Sequence, residues 1–294
     1  MPERSIEMKK IKIHTWRRVI QIGVAALFII LPTLNQAGFN FIWGNFLNIH
    51  VGRLTFSDPL AVFQVILKNH YLPFGLLIGA GMVLAISFFL GTIFCSWICP
   101  FGLLSELINC FSSRVWPQKF SNRKIHKRGF EVKLAVFCAG FLIVCFFFKA
   151  PILNQVSMPF QYSNIFQYLF MQKILHPAIW FMGAVLLVEF LLQTRFWCRW
   201  FCPQAVLLSV IKQLNPFGLK IIFTPQKCVL NKAPFPCQRA CSLDLNPKRL
   251  DGWSLAQCTN CGDCVDACGK TGKALAYHFS LSLNRLSVNG KIIF

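Results

Sequence analysis

Acidic residues are scarce in this chain, with 10 Asp and Glu against 30 Lys and Arg in 294 residues, and charged residues of all kinds make up only 14%. That is too little charge for the surface of a soluble protein of this length. With 55% hydrophobic residues and 31 phenylalanines, the composition is that of a membrane protein. Histidine is limited to six residues. They form no His-rich metal motif, and no pair within an apolar stretch is placed to ligate haem. There is no nucleophile elbow and no phosphate-cradling loop, since Lys270-Thr271-Gly272-Lys273 lacks the context of a P-loop. These absences turn the reading away from nucleotide and acyl-transfer chemistry. The net charge of +20 does not point to nucleic acid, because the basic residues are distributed by membrane topology.

Four apolar stretches are read as membrane-spanning helices: 19–34, 73–94, 134–148 and 177–194. The second is an uncharged run of 22 residues, and at 1.5 Å per residue it covers roughly 33 Å, enough for a bilayer core. The third is short but lies between Lys133 and Lys149, whose stems can reach the interface. The segment 206–223, interrupted by Lys212 and Pro216, is expected to lie on the membrane surface. Basic residues crowd the N-terminal segment 1–18 (Arg4, Lys9, Lys10, Lys12, Arg17, Arg18), the loop 114–128 and the C-terminal region. The loops 36–72 and 150–175 carry few. Both termini and the central loop are therefore expected in the cytoplasm, with the chain in a bacterial inner membrane. No small-x-small cleavage site follows the first stretch, so it is expected to be retained. Most of the fourteen cysteines fall on the reducing side, where disulfides are not expected.

Those cysteines carry the chemistry. Cys258-x2-Cys261-x2-Cys264-x3-Cys268 is the ligand spacing of a bacterial-type iron–sulfur cluster. Three thiolates on one tight loop, wrapped closely at Gly262, hold three corners of a cubane, and the fourth cysteine reaches a different cluster. Such clusters carry single electrons, so the chain reads as a redox protein. A second pattern is an internal repeat. Phe94-Cys95-Ser96-Trp97-Ile98-Cys99-Pro100 recurs 103 residues later as Trp197-Cys198-Arg199-Trp200-Phe201-Cys202-Pro203. Each copy follows the second helix of a pair, as in a parallel repeat, which brings both to the cytoplasmic surface. Cys95, Cys99, Cys198 and Cys202 can bind a metal or cluster, switch as two dithiols, or serve as small polarisable packing residues, and the sequence leaves these readings open. The expected fold is an α-helical membrane protein of two parallel two-helix repeats over 19–223. A small C-terminal ferredoxin-like iron–sulfur domain over 224–294 follows.

The two Cys-x3-Cys-Pro motifs after the second and fourth helices, the ferredoxin-type tail and Asp58-Pro59-Leu60 together resemble the NapH-type membrane component of periplasmic nitrate reductase systems. Related modules occur in methylamine utilisation and nitrous-oxide regulation. The resemblance implies oxidation of membrane quinol, with electrons handed through a partner ferredoxin-type iron–sulfur protein toward a periplasmic reductase. Nothing in the residues names nitrate. An accessory protein supplying electrons for maturation of a periplasmic metalloenzyme, and a thiol-based redox sensor, are the alternatives. The family carries two complete cysteine runs, whereas here the first is reduced to Cys228-x8-Cys237-x3-Cys241, with an Asn-Lys-Ala-Pro-Phe-Pro insertion. Crossed ligation, as in two-cluster ferredoxins, would assign Cys241, Cys258, Cys261 and Cys264 to one [4Fe–4S] cluster. Cys228, Cys237 and Cys268 would remain as a three-ligand set, for a second cluster of another type, one completed by a non-cysteine ligand, or none.

Glu189 lies within the last apolar stretch, where an ionisable group is costly and hence a functional candidate. Asp58, His50 and His70 lie in the 36–72 loop, and Asp58 shares with Glu189 the candidacy for accepting quinol protons. Cys110, Cys138 and Cys145 read as packing residues.

Overall fold

A computed structural model describes residues 13–38, 41–69, 74–116, 129–147, 155–215, 218–229, 235–250, 252–269 and 272–280. His70, the Cys145 side chain, most of the central basic loop and both chain ends lie outside the described residues. The described chain is mostly helical. Helix α1 (Ile13–Gln36) leads into an antiparallel meander of β1 (Ile42–Asn45), β2 (Asn48–Val51) and β3 (Leu54–Ser57), followed by α2 (Pro59–Asn69) and α3 (Phe74–Leu90). Then come α4 (Phe94–Trp97), α5 (Pro100–Val115), α6 (Gly129–Phe147), α7 (Met158–Met171), α8 (Ala178–Leu192), α9 (Phe196–Trp200) and α10 (Pro203–Leu214). The C-terminal unit has β4 (Gly218–Phe223) paired antiparallel with β5 (Leu275–Ser280). Between these strands lie the short helices α11 (Pro236–Arg239), α12 (Gly252–Gln257) and α13 (Asp263–Gly269).

The four apolar stretches fall on α1, α3, α6 and α8. Helix α1 is long and apolar enough to cross a membrane, whereas α3, with 17 residues, and α8, with 15, are apolar but shorter. The latter two rise about 25 and 22 Å, against a hydrocarbon core of about 30 Å. Their outward faces are apolar as well: Ile22 and Ile30 on α1, Ile78 and Ile86 on α3, and Trp180 and Leu187 on α8 are all exposed. A helix apolar on every face is not built to face water.

The ends of these helices alternate. Arg17 at the start of α1 bonds Asp263 of the C-terminal unit. Thr92, just beyond α3, donates to the Cys258 carbonyl. Lys133, at the start of α6, donates to the Cys198 carbonyl, and Arg195, just after α8, shares Glu106 with Arg17. The first, third, second and fourth helices thus begin or end on one common face, where the C-terminal unit docks. At the other end, Gln36 of α1 donates to the Phe170 carbonyl of α7.

Three features depart from the sequence expectation. The run 73–94 is not one helix: Gly91 takes φ +69° and ends α3, so that Phe94 starts the separate helix α4. The segment 206–223 is not one element, since α10 ends at Leu214 and β4 starts at Gly218 and pairs with β5. Strand β4 thereby shares a sheet with β5 at the far end of the cysteine-rich segment. The 36–72 loop, expected on the side away from the cysteine motifs, folds inward. Phe46, in the turn between β1 and β2, packs its ring 4.8 Å from Phe28 of α1 and 5.5 Å from Phe94 of α4. Asn45 Oδ1 tightens that turn by accepting from the amides of Leu47 and Asn48.

Candidate iron–sulfur site

In the C-terminal unit, Cys241, Cys258, Cys261 and Cys264 line one cavity whose walls include Ile221, Leu243, Leu245 and Leu250. The loop reaches this shape because Asn260 (φ +53°) and Gly262 (φ +87°) turn the backbone through the left-handed region between the cysteines. Among the described residues no imidazole or carboxylate lines the cavity. Soft thiolates in an apolar shell suit an iron–sulfur cluster. The Leu245 amide donates to Cys241 Sγ at 3.4 Å, an N–H···S bond of the kind that tunes cluster potentials. Burial pushes the Cys241 thiol up to about 11 and the Cys261 thiol well above its ordinary range. Thiolates at this depth need a cation to balance them.

Cys228, Cys237 and Cys268 line a second cavity with Phe223, Phe235 and Leu275. Its remaining polar wall is Lys248, whose Nζ sits 3.2 Å from the Phe235 ring centroid. Among the described residues the donor set here is three thiols, with no fourth thiol, imidazole or carboxylate in the wall.

The two Cys-x3-Cys-Pro motifs adopt matching backbones. Cys99 (φ −65°, ψ 117°) and Cys202 (φ −63°, ψ 116°) each precede a proline that opens a helix, α5 and α10. Gly102 is required, because a Cβ there would lie 2.6 Å from the Cys95 carbonyl. All four thiols are brought together, so the charge on each opposes ionisation of its neighbours. Burial, reinforced by this repulsion, lifts Cys95 and Cys202 to about 11 and Cys198 to about 12. Arg195, with Nη2 3.8 Å from Cys198 Sγ, and Lys133 oppose the shift.

A polar seam joins this thiol group to the first cavity. Ser96 Oγ donates to the Thr259 carbonyl at 2.6 Å, and Thr92 Oγ1 donates to the Cys258 carbonyl at 2.6 Å. Lys212 Nζ donates to the Cys258 carbonyl at 2.5 Å and to Asn260 Oδ1 at 3.0 Å. Behind the seam, Glu106 receives Arg17 at 2.7 Å, Arg18 at 3.0 Å and Arg195 at 3.2 Å. Sequence reasoning found the cysteines but missed this seam. Its one legible sign was Lys212, a lone cation in an otherwise apolar stretch.

The two acid candidates are placed differently. Glu189 is buried and occupied: it accepts the Ser105 hydroxyl and, at 3.0 Å, the Trp197 amide, anchoring the start of α9 ahead of Cys198. Asp58 caps α2, its Oδ1 accepting the Leu60 amide at 3.2 Å ahead of Pro59 at the first helical position. Its Oδ2 is buried with no hydrogen-bond partner among the described residues, although the Gln204 side chain is near enough to favour the anion. Burial raises Asp58 to about 6. His50 stacks on Trp43 at 3.8 Å and pairs with Thr55 Oγ1. Cys110 and Cys138 are exposed.

Soft thiol sets on a short-helix and two-strand unit, docked on an apolar helical body, define a helical protein of the ferredoxin type. A family model described as a 4Fe–4S binding domain matches twice, over 72–127 and 175–220. The two matches start 103 residues apart (175 minus 72), on the Cys-x3-Cys-Pro repeats rather than on the C-terminal run. Among curated relatives, YccM of Escherichia coli is 28% identical over 71% of this chain and 56% of its own length. The ferredoxin-type protein MauN of methylamine utilization in Methylorubrum extorquens is 27% identical over 68% of this chain and 67% of its own. The ferredoxin-type protein NapH of Haemophilus influenzae is 23% identical over 87% of this chain and 86% of its own. The chain thus spans little more than half of YccM but most of NapH. Together these matches support a NapH-type ferredoxin-like protein family for the chain. No solved structure matches it.

Proposed function

We propose that this protein is a bacterial inner-membrane electron carrier. It draws electrons from quinol and passes them through cysteine-held iron–sulfur centres to a partner ferredoxin-type protein, and so toward a periplasmic reductase. The observation that carries this reading is the seam of Thr92, Ser96 and Lys212, which holds the repeat cysteines and the Cys258–Cys264 loop in one contact. Iron–sulfur clusters, when bound, supply one-electron redox steps. The chain's own groups keep the route fixed and dry. Leu243 and Leu245 exclude water, and Arg17, Arg195 and Lys212 place buried positive charge where reduction adds negative charge. Ferredoxin-type names among the relatives support the same class of work. The test is anaerobic addition of decylubiquinol to the purified chain, with reduction of its clusters followed by paramagnetic resonance. Oxidised clusters that ignore the quinol would remove the reading.

The repeat cysteines would act as one unit. Cys99→Ser, Cys202→Ser and the double variant are each expected to lower quinol-dependent reduction roughly tenfold to a hundredfold, to a common floor. Full activity in the double variant would leave these residues as packing. The membrane reading predicts four spans with both ends inside. Reporter fusions after Gly38 and Lys173 should be active only in the periplasm, and fusions after Trp116 and Phe294 only in the cytoplasm.

A further inference from the structure

The geometry points to the apolar cavity beside Asp58 as the seat of a quinol ring, with Asp58 Oδ2 facing a ring hydroxyl. This rests on the quinol reading above and adds the place. The cavity, about 250 Å³, is enclosed by α1, the β-meander, α3, α4 and α10. It is smaller than the pockets of about 300 Å³ and upward that hold drug-sized ligands, so it admits one substituted ring with its tail outside. Among the described residues its lining carries no Lys or Arg and includes the Asp58 carboxyl, which does not suit an anion. Phe28, Phe46 and Phe94 supply aromatic walls, whose rings suit stacking with a planar ligand.

The polar groups are few and aimed. Asp58 is 6% exposed, and among the described residues its Oδ2 makes no hydrogen bond within the usual distance and has only the Gln204 side chain nearby, which leaves it open to a ligand's donor. A ring hydroxyl is such a donor, whereas an acyl chain is not. The half-buried Val24 and Leu27 of α1 and Val83 of α3 form the rim, continuous with the apolar outer faces of those helices, where an isoprenoid tail can lie. The position suits electron delivery as well. Phe94 and Ile98 flank Cys95 and Cys99, and Gln204 follows Cys202-Pro203, so both copies of the motif border the ring.

The test uses the full chain, purified anaerobically with its clusters, and a photoreactive azido-decylubiquinol. The expected adducts fall within residues 46–59 or 204–208 and are displaced by excess decylubiquinol. Val83→Trp, which fills the cavity from α3, should abolish the labelling and raise the KM for decylubiquinol at least about tenfold with the cluster resonance unchanged. Asp58→Asn should weaken binding about tenfold, the loss of one charge-assisted hydrogen bond. If Asp58→Asn loses the cluster resonance, Val83→Trp decides. Adducts elsewhere in a chain that still oxidises decylubiquinol, or full labelling of Val83→Trp, would overturn the site and leave the function standing. Displacement by dodecanol as readily as by decylubiquinol would make it a lipid slot and overturn it too. Clusters that decylubiquinol cannot reduce in the unaltered chain would overturn the function itself, and the site with it.

Discussion

Cys261→Ser is expected to abolish the principal reduced-cluster resonance and to remove about four irons and four sulfides per chain. Cys261 shares its cavity with Cys241, Cys258 and Cys264. The neighbouring seam leaves the loop little room to supply another ligand, since the Cys258 carbonyl is held by both Thr92 and Lys212. A serine oxygen is a harder donor and ionises less readily than the thiol it replaces. Cys237→Ser acts on the second cavity, so it should leave the principal resonance intact and remove at most three or four irons. Measuring iron, acid-labile sulfide and resonance on the same samples separates the two. Stoichiometric zinc without sulfide in the anaerobically purified chain would refute the electron-transfer reading at its base.

Glu106→Ala is expected to cost about 3–5 kcal/mol, because it leaves buried arginine charges uncompensated. Glu106 receives Arg17, Arg18 and Arg195, and the Arg17 and Arg195 side chains are fully buried. The loss is a large share of the 5–15 kcal/mol typical of a folded domain. The variant should therefore melt far below the unaltered chain in detergent, or fail to accumulate. Arg17 also holds Asp263 at 2.9 Å, beside Cys264. The damage should thus reach the cluster resonance even though no cysteine is altered. An unchanged melting temperature and resonance would show that the arginines find water instead.

The spacing of Cys258, Cys261, Cys264 and Cys268 was legible as one run. The crossed ligation of two-cluster ferredoxins assigned Cys241 to the first three and left Cys268 with Cys228 and Cys237. The structure lines one cavity with the first set and another with the second. Spacing shows Cys258, Cys261 and Cys264 because ligands on one tight loop are within reach of a few residues of backbone, whereas the placing of Cys241 and Cys268 came from the crossed-ligation analogy. The apolar helices were legible for the same reason, since hydropathy is a property of a contiguous stretch. The 103-residue repeat showed that the two Cys-x3-Cys-Pro motifs are equivalent, and their helix-opening prolines take up nearly the same backbone.

What only the tertiary structure decided lies between segments far apart in the chain. Nothing local could show that Arg17, read as a topological charge, is fully buried against Glu106, or that Lys212 would bridge to Cys258 and Asn260. The break at Gly91 was hidden because an uncharged run has the same hydropathy whether it is one helix or two. The inward fold of the 36–72 loop was hidden because a meander of four-residue strands gives too short an alternation to read. That fold separates the two acids. Glu189 is consumed in holding α9, whereas Asp58 comes to rest beside Gln204 in an apolar cavity with an oxygen to spare. The chemistry was written in residue types and their spacing. Which carboxylate faces that cavity depended on packing between distant segments, which no single stretch of sequence encodes.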